Sequence, residues 1–205
     1  MNNIRTIINK FGELYSEQLG INLDSKKEGE IFKWFLASLL FGKRIGENIA
    51  ARTYKEFEKA GILTPQAILK AGWDRLVQIL DAGGYARYDF STADKLLELM
   101  EKLLKEYGSL TELYNKAKDA KELENKLMEF RGIGPVTVNI FLRELRHVWQ
   151  KADPEINPYT KLAAKTLKID LKKLNRKSKD FVRLECALLR VGKNCIKKNK
   201  PIPYH

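Results

Sequence analysis

The segment Gly132-Ile133-Gly134, which separates two stretches of helical periodicity, has a residue pattern that can bind an anion. Glycine has no Cβ, so both glycines can adopt the positive φ angles of a tight hairpin. Ile133 then anchors the hairpin in the core, and the next helix begins with N–H groups that have no acceptor. Backbone amide groups near Gly132, Gly134 and Val136 can hold a phosphate oxygen or a bridging cation. A ligand-free turn between two helices is the alternative.

The charge distribution favours a polyanionic partner. The 205 residues include 38 basic and 26 acidic side chains, which gives a net charge of +12. Residues 1–160 contribute 24 basic and 23 acidic side chains, whereas residues 161–200 contribute 14 basic and 3 acidic ones. A cationic C-terminal segment is typical of proteins that bind nucleic acid or an anionic membrane surface, and a solubilising tail is the alternative.

Composition excludes several classes of protein. With 44% hydrophobic and 31% charged residues, the chain has the make-up of a folded globular protein. No run reaches the roughly 18 apolar residues of a membrane span, and the N-terminus lacks the apolar core of a signal peptide, so we predict a cytoplasmic protein. Cys186 and Cys195 are too few for a disulfide framework, and His147 and His205 are the only histidines. We therefore predict no metal site and no cofactor.

The elements that must position the hairpin are helices. Apolar residues recur with helical spacing along the chain, and no stretch of useful length alternates as a strand does. We predict an all-α fold of roughly ten helices, with Ser91 and Ser178 as N-caps. The predicted helices cover residues 27–41, 46–59, 64–70, 73–80, 91–108, 110–117, 121–130, 136–148, 157–167 and 178–191.

The hairpin and its surroundings resemble the helix-hairpin-helix (HhH-GPD) superfamily of DNA glycosylases, typified by endonuclease III. LMEFRGIGPVTVNIFL is similar to the helix-hairpin-helix motif itself. SLLFGKRIGENIAARTYKEF resembles the helix pair that presents a DNA-probing residue, and AGGYARYDFSTADKL resembles the Gly-Tyr stretch before the motif. INPYTKLAAKTL resembles the segment that carries the catalytic aspartate. The matches together span roughly residues 28 to 195.

The resemblance implies an architecture, a partner and a function. Two helical lobes hold double-stranded DNA, with a damaged or mismatched base flipped into the cleft between them. Residues 28–130 are expected to form a six-helix barrel lobe. Residues 1–27 and 131–205 are expected to form the second lobe, with the basic segment on its DNA side. The expected protein is a monomeric, nucleoid-associated glycosylase of base-excision repair that does not bind membranes.

The resemblance also implies which chemistry is retained. Bifunctional members carry a lysine nucleophile two residues after the second hairpin glycine, whereas this chain has Val136 there. We therefore expect a monofunctional enzyme that leaves an abasic site. The iron–sulfur cluster of many relatives is not expected, because GKNC at 192–195 resembles only the start of the cluster segment and the other cysteines are missing.

Cleavage of an N-glycosidic bond requires a carboxylate that stabilises positive charge on the sugar or orients a water. The resemblance places Asn157 where the aspartate is expected, and an amide carries no such charge. Asp153 and Glu155 precede it in the same loop, and Asp153 is the first candidate for the catalytic carboxylate. Trp149 and Pro154-Glu155 have the spacing found in the thymine-excising branch of the family. A helix cap or a solvated loop is the alternative for Asp153.

Other residues are candidates for DNA contacts. Lys43 lies where relatives place a residue that fills the gap left by the extruded base, and Arg44 can reach a phosphate. Arg131 and Lys161 are further predicted DNA contacts. A solvated loop is the alternative for Lys43.

Three aromatic residues, Tyr85, Tyr88 and Trp149, are candidates for the base pocket, although aromatics of this kind are also common in cores. Trp34 and Trp73 are predicted to belong to the core. Because Asn157 replaces the expected carboxylate, a second function stays open: a catalytically inactive protein that recognises damaged or distorted DNA on the same scaffold.

Overall fold

The structure, a computed structural model, describes residues 2–202; His205 lies outside them. It contains α-helices and short 3-10 or π segments, with no strand in the described part, so the predicted all-α class is confirmed. The helices are α1 (Asn2–Phe11), α2 (Tyr15–Gln18), α3 (Glu28–Phe41), α4 (Glu47–Lys59), α5 (Pro65–Ala82), α6 (Asp89–Glu106), α7 (Leu110–Lys116), α8 (Ala120–Met128), α9 (Pro135–Glu144), α10 (Pro158–Thr166) and α11 (Lys179–Val191).

The chain divides into two compact units. We call Ile21–Phe141 the central unit, and Met1–Gly20 together with Leu142–His205 the terminal unit. The central unit is continuous in sequence, whereas the terminal unit combines both ends of the chain. The hairpin after α8 belongs to the central unit, although the resemblance assigned residues from 131 onward to the second lobe.

The core of the central unit is built around α3. This helix is apolar over most of its circumference, as expected for a helix that is buried on nearly all sides. Trp34 is fully buried, as predicted, and its indole N–H donates to the Phe141 carbonyl over 3.0 Å. The Phe35 and Phe141 rings pack edge to face at 5.1 Å. These contacts tie the hairpin helix α9 to the middle of α3.

In the central unit one sequence prediction is confirmed and two are wrong. The helices predicted at 64–70 and 73–80 are separate helical segments of α5, because the backbone at the kink, Gly72 with φ of +73°, is not helical. Trp73 follows the kink and is 38% exposed, not buried, with its ring against Phe90 and its N–H bonded to Asp94. Ser91 does not cap α6, because that helix already begins at Asp89.

The terminal unit packs α1, α10 and α11 together. Asn157 caps α10 by accepting the Tyr159 N–H at 2.9 Å, and Pro158 occupies the first turn. Ser178 caps α11 by accepting the Phe181 N–H at 3.1 Å, as predicted. The buried core residues shared by the three helices are small or aliphatic: Ile7, Ala163, Ala164, Leu184, Ala187, Leu188 and Val191.

Candidate nucleic-acid interface

The hairpin has the predicted sharp turn, but only one of its glycines needs a special backbone. Gly132 has φ of +90°, whereas the φ of Gly134 lies outside the left-handed region. Ile133 is buried, and its N–H donates to the Phe130 carbonyl at 3.1 Å. A Cβ built on Gly134 meets no atom of the chain within 4 Å. The space beside Gly134 is therefore open to an approaching ligand.

The helix after the hairpin begins at an exposed position. Val136, in the first turn of α9, is 63% exposed. The first N–H groups of a helix lack an intrahelical acceptor and lie at the positive end of its dipole, which favours an anion. Close packing anchors this turn, because a Cβ on Gly42 would collide with the Thr137 hydroxyl. The end of α3 thus supports the turn that presents these N–H groups.

A small pocket lies on one side of the hairpin, and we call it the hairpin pocket. Its walls are apolar, and its polar groups include three cationic side chains. The lining residues are Leu39, Lys43, Thr92, Lys95, Leu96, Leu99, Arg131 and Gly132. None of these eight residues carries a carboxylate. The pocket therefore concentrates positive charge against an apolar surface.

Lys43 is half-buried and folds back onto the hairpin. Its ammonium donates to the Gly132 carbonyl at 3.3 Å. Burial lowers the pKa of Lys43, and the neighbouring positive charge of Lys95 lowers this pKa further. In this conformation Lys43 does not project from the surface as a gap-filling residue, whereas the adjacent Arg44 is exposed.

The other pocket residues differ in how well they are paired. Arg131 is 65% exposed and binds Glu98 over 2.9 Å, which raises the pKa of the guanidinium. Within the described residues, Lys95 has no ion-pair partner. Thr92 is 4% exposed, and its buried hydroxyl has no hydrogen-bond partner. Sequence reasoning missed Thr92 and Lys95, although their spacing of three residues places them on one face of α6.

Two of the three predicted base-pocket aromatics are core residues. Tyr85 is fully buried, its hydroxyl donates to the Leu40 carbonyl at 2.8 Å, and burial raises its pKa. Trp149 is 5% exposed within the terminal unit. Neither ring presents a face that a base can stack on, so the predicted pocket role does not fit these two residues. Tyr88 is half-buried and has Arg87 over its ring.

In the terminal unit, the Asp153 carboxylate is held by two arginines. It pairs with the guanidinium of the buried Arg146, and Arg176 binds the same oxygen at 2.8 Å. Arg146 also binds Glu185 at 2.7 Å and the Pro154 carbonyl at 2.6 Å. The negative charge of Asp153 is therefore balanced by neighbours, which weakens it as a stabiliser of a cationic sugar.

The two remaining catalytic candidates also have structural partners. Glu155 is 80% exposed and pairs with Lys161, which lowers the Glu155 pKa. Asn157 occupies the N-cap of α10, and its side-chain oxygen is used by the Tyr159 N–H. The resemblance assigns an aspartate to the start of α10, but the residue there is an asparagine. Asp153 and Glu155 both have cationic partners.

The basic C-terminal segment forms an exposed cationic surface on the terminal unit. Lys197 binds the Tyr159 hydroxyl at 2.7 Å and lowers the pKa of this phenol. The other lysines of this surface lie on α10, in the turns that follow it and in the segment after α11. The exposed members are Lys161, Lys165, Lys168, Lys172, Lys173, Lys197, Lys198 and Lys200.

Within residues 2–202, no helix is long and apolar enough to cross a membrane, and no cluster of histidine, cysteine, aspartate or glutamate has the geometry of a metal site. Cys186 and Cys195 are free and buried. Comparison with known proteins gives no family assignment, because no protein-family model matches the chain and no curated protein matches it at a significant level.

Proposed function

We propose that the protein binds duplex DNA through the hairpin and acts in the recognition of damaged or mismatched bases. The observation that carries the proposal is the open space at Gly134 beside the exposed first turn of α9. Backbone N–H groups at a helix start bind phosphate well when no side chain blocks the approach. The cationic surface of the terminal unit adds the electrostatic attraction that DNA binding requires.

Recognition without excision is the form of this function that the geometry favours. Asp153 is paired with Arg146 and Arg176, and Asn157 is an uncharged cap. Neither group supplies the free carboxylate that glycosidic cleavage needs.

A monofunctional DNA glycosylase is the second candidate, and one observation favours it. The side chain of Asp153 is 36% exposed despite its two arginine partners. A carboxylate in this position is still accessible to a substrate. Hydrolysis is expected to leave an abasic site, because Val136 replaces the lyase lysine of the families that the chain resembles.

A glycine substitution tests the DNA-binding proposal. The φ of Gly134 is accessible to any residue, and its Cβ position is empty, so Gly134→Ala is expected to fold normally. We expect it to weaken duplex binding about tenfold, which corresponds to one lost hydrogen bond to a charged group. Gly29→Ala is the matched control, because Gly29 also has open space and lies in α3 away from the hairpin.

The two forms of the function are separated by a cleavage assay. Purified protein is incubated with duplexes that contain uracil, thymine opposite guanine, 8-oxoguanine, hypoxanthine or alkylated adenine, and alkali then reveals abasic sites. Recognition without excision predicts tighter binding to at least one of these duplexes than to intact DNA, and no cleavage. Equal affinity of the wild-type protein and Gly134→Ala for every duplex overturns the role of the hairpin.

A further inference from the structure

Three cationic side chains line the hairpin pocket, and only Arg131 has an acidic partner among the described residues, Glu98. We propose that the hairpin pocket is a phosphate-binding site in which Lys43, Lys95, Arg131 and the Thr92 hydroxyl hold the oxygens of one phosphate group. The proposal deepens the proposed function, because the phosphate is inferred to belong to DNA. The anion site itself stands on the geometry of the central unit alone.

The arrangement of Lys43 and Lys95 is the first argument. Two ammonium groups that line one pocket repel each other, and burial removes part of the hydration of Lys43. The effect is visible in the pKa of Lys43, which burial and the charge of Lys95 both lower. Lys95 has no ion-pair partner among the described residues, and no lining residue is acidic. An anion between the two lysines removes the repulsion that the free protein retains.

Thr92 is the second argument, and it does not depend on charge. A threonine inside a helix commonly bonds its hydroxyl to a carbonyl in the preceding turn. The Thr92 hydroxyl makes no hydrogen bond at all, although the residue is 4% exposed and lines the pocket. A buried hydroxyl without a partner costs free energy. A phosphate oxygen in the pocket supplies the missing acceptor.

The size of the pocket and the position of Arg131 restrict the kind of ligand that can bind. The empty volume is about 280 Å³ and is partly open to solvent. Because this volume includes solvent-open space, the enclosed part of the pocket is much smaller than a site that holds a whole small molecule. One tetrahedral anion fits better than a nucleotide base. Arg131 is exposed at the edge of the pocket, where its guanidinium can add a second hydrogen bond to the anion.

The test is a titration of the full-length, ¹⁵N-labelled protein with inorganic phosphate, followed by NMR at constant pH and ionic strength with chloride as the balancing anion. We expect saturable shifts of the Thr92, Lys95 and Gly132 amide signals. Lys95→Ala should weaken the affinity for phosphate at least tenfold. Thr92→Val, which keeps the shape of the side chain, should weaken this affinity several-fold. Lys105→Ala, on the exposed side of the same helix, is the charge-matched control and should leave the affinity unchanged.

Shifts that do not saturate, or that are the same in Lys95→Ala and Lys105→Ala, overturn the site. If the protein binds DNA but shows no saturable shifts with phosphate, the phosphate site is overturned and the DNA-binding proposal stands. Saturable phosphate binding by a protein that binds no DNA keeps the phosphate site and overturns the DNA-binding proposal. The two proposals therefore fail separately.

DNA substrates then distinguish the sources of the phosphate. Lys95→Ala is compared with Lys105→Ala on an intact duplex and on nicked duplexes with a 5′-phosphate or a 5′-hydroxyl. Weaker binding of all three assigns the pocket to an internal phosphodiester. Weaker binding of the 5′-phosphate nick alone assigns it to a terminal phosphate. No difference on any of them overturns DNA as the source.

Discussion

Arg146 binds the carboxylate of Asp153 with one arm of its guanidinium, while its other nitrogens bind Glu185 and the Pro154 carbonyl. The arginine is fully buried and Asp153 is partly exposed, so the loop before α10 is fixed to the core of the terminal unit through this side chain. The carboxylate that sequence reasoning placed first for catalysis is thus a structural partner of a buried cation.

This contact predicts the phenotype of Asp153→Asn. If Asp153 only holds the loop, the substitution lowers the free energy of unfolding by about 1 kcal/mol, because the amide still accepts one hydrogen bond. Duplex affinity should be unchanged or higher, since a negative charge is lost. Denaturant melts and electrophoretic binding assays measure the two effects. A wild-type cleavage activity that falls by roughly two decades in this variant would instead identify Asp153 as catalytic.

Glu185 should matter much more than Asp153 for stability. Both Arg146 and Glu185 are buried, so the loss of the Glu185 charge leaves the buried arginine with the partly exposed Asp153 as its remaining carboxylate partner. We expect Glu185→Gln to reduce the free energy of unfolding by about 3 kcal/mol.

Glu98→Gln is the control for Glu185→Gln, because it breaks the exposed pair with Arg131 and should cost less than about 1 kcal/mol. Urea denaturation at neutral pH compares the two variants. Equal losses in both would show that the buried network contributes no more than a surface ion pair.

The features that could be predicted from the sequence are the local ones. Asn157 and Ser178 act on N–H groups two or three residues away, so their capping roles follow from residue type and position. The Gly132 turn and the burial of Ile133 are also set within a few residues.

Features that depend on distant partners could not be predicted in the same way. Tyr85 is buried, and its hydroxyl donates to the carbonyl of Leu40, which is 45 residues away in sequence. Arg146 and Glu185 are 39 residues apart, and no periodicity pairs them. One available signal was Glu185 itself, a charged residue within the apolar run of α11.

Lys43 predicts a pH dependence of stability. Its pKa is lowered in the folded protein by burial and by Lys95, so the unfolded chain holds more protons at this side chain in the window between the lowered and the ordinary pKa. Stability from this group therefore rises as the pH rises through that window. Lys43→Met removes the contribution, and the difference in unfolding free energy between wild type and variant should grow in favour of wild type as the pH rises towards the ordinary lysine pKa of 10.5.

Lys105→Met is the control for this measurement, since it removes one lysine from an exposed site on α6. A wild-type advantage that is flat with pH, or that shrinks, would contradict the assignment of Lys43 as a buried cation under repulsion.

The cationic surface of the terminal unit predicts a steep salt dependence of DNA binding. Each phosphate that a lysine neutralises releases counterions, so the logarithm of the association constant should fall by about 0.9 per decade of salt for each such contact. Lys161→Gln removes one candidate contact and should reduce the slope by about one, with a uniform loss of affinity across sequences.

Because Lys161 also pairs with Glu155, Glu155→Gln serves as the companion variant that frees the lysine and should strengthen binding. Fluorescence anisotropy with one labelled duplex between 50 and 300 mM salt measures all three proteins. A slope near zero in the wild type would mean that the 14 basic residues of 161–200 serve solubility and not DNA binding.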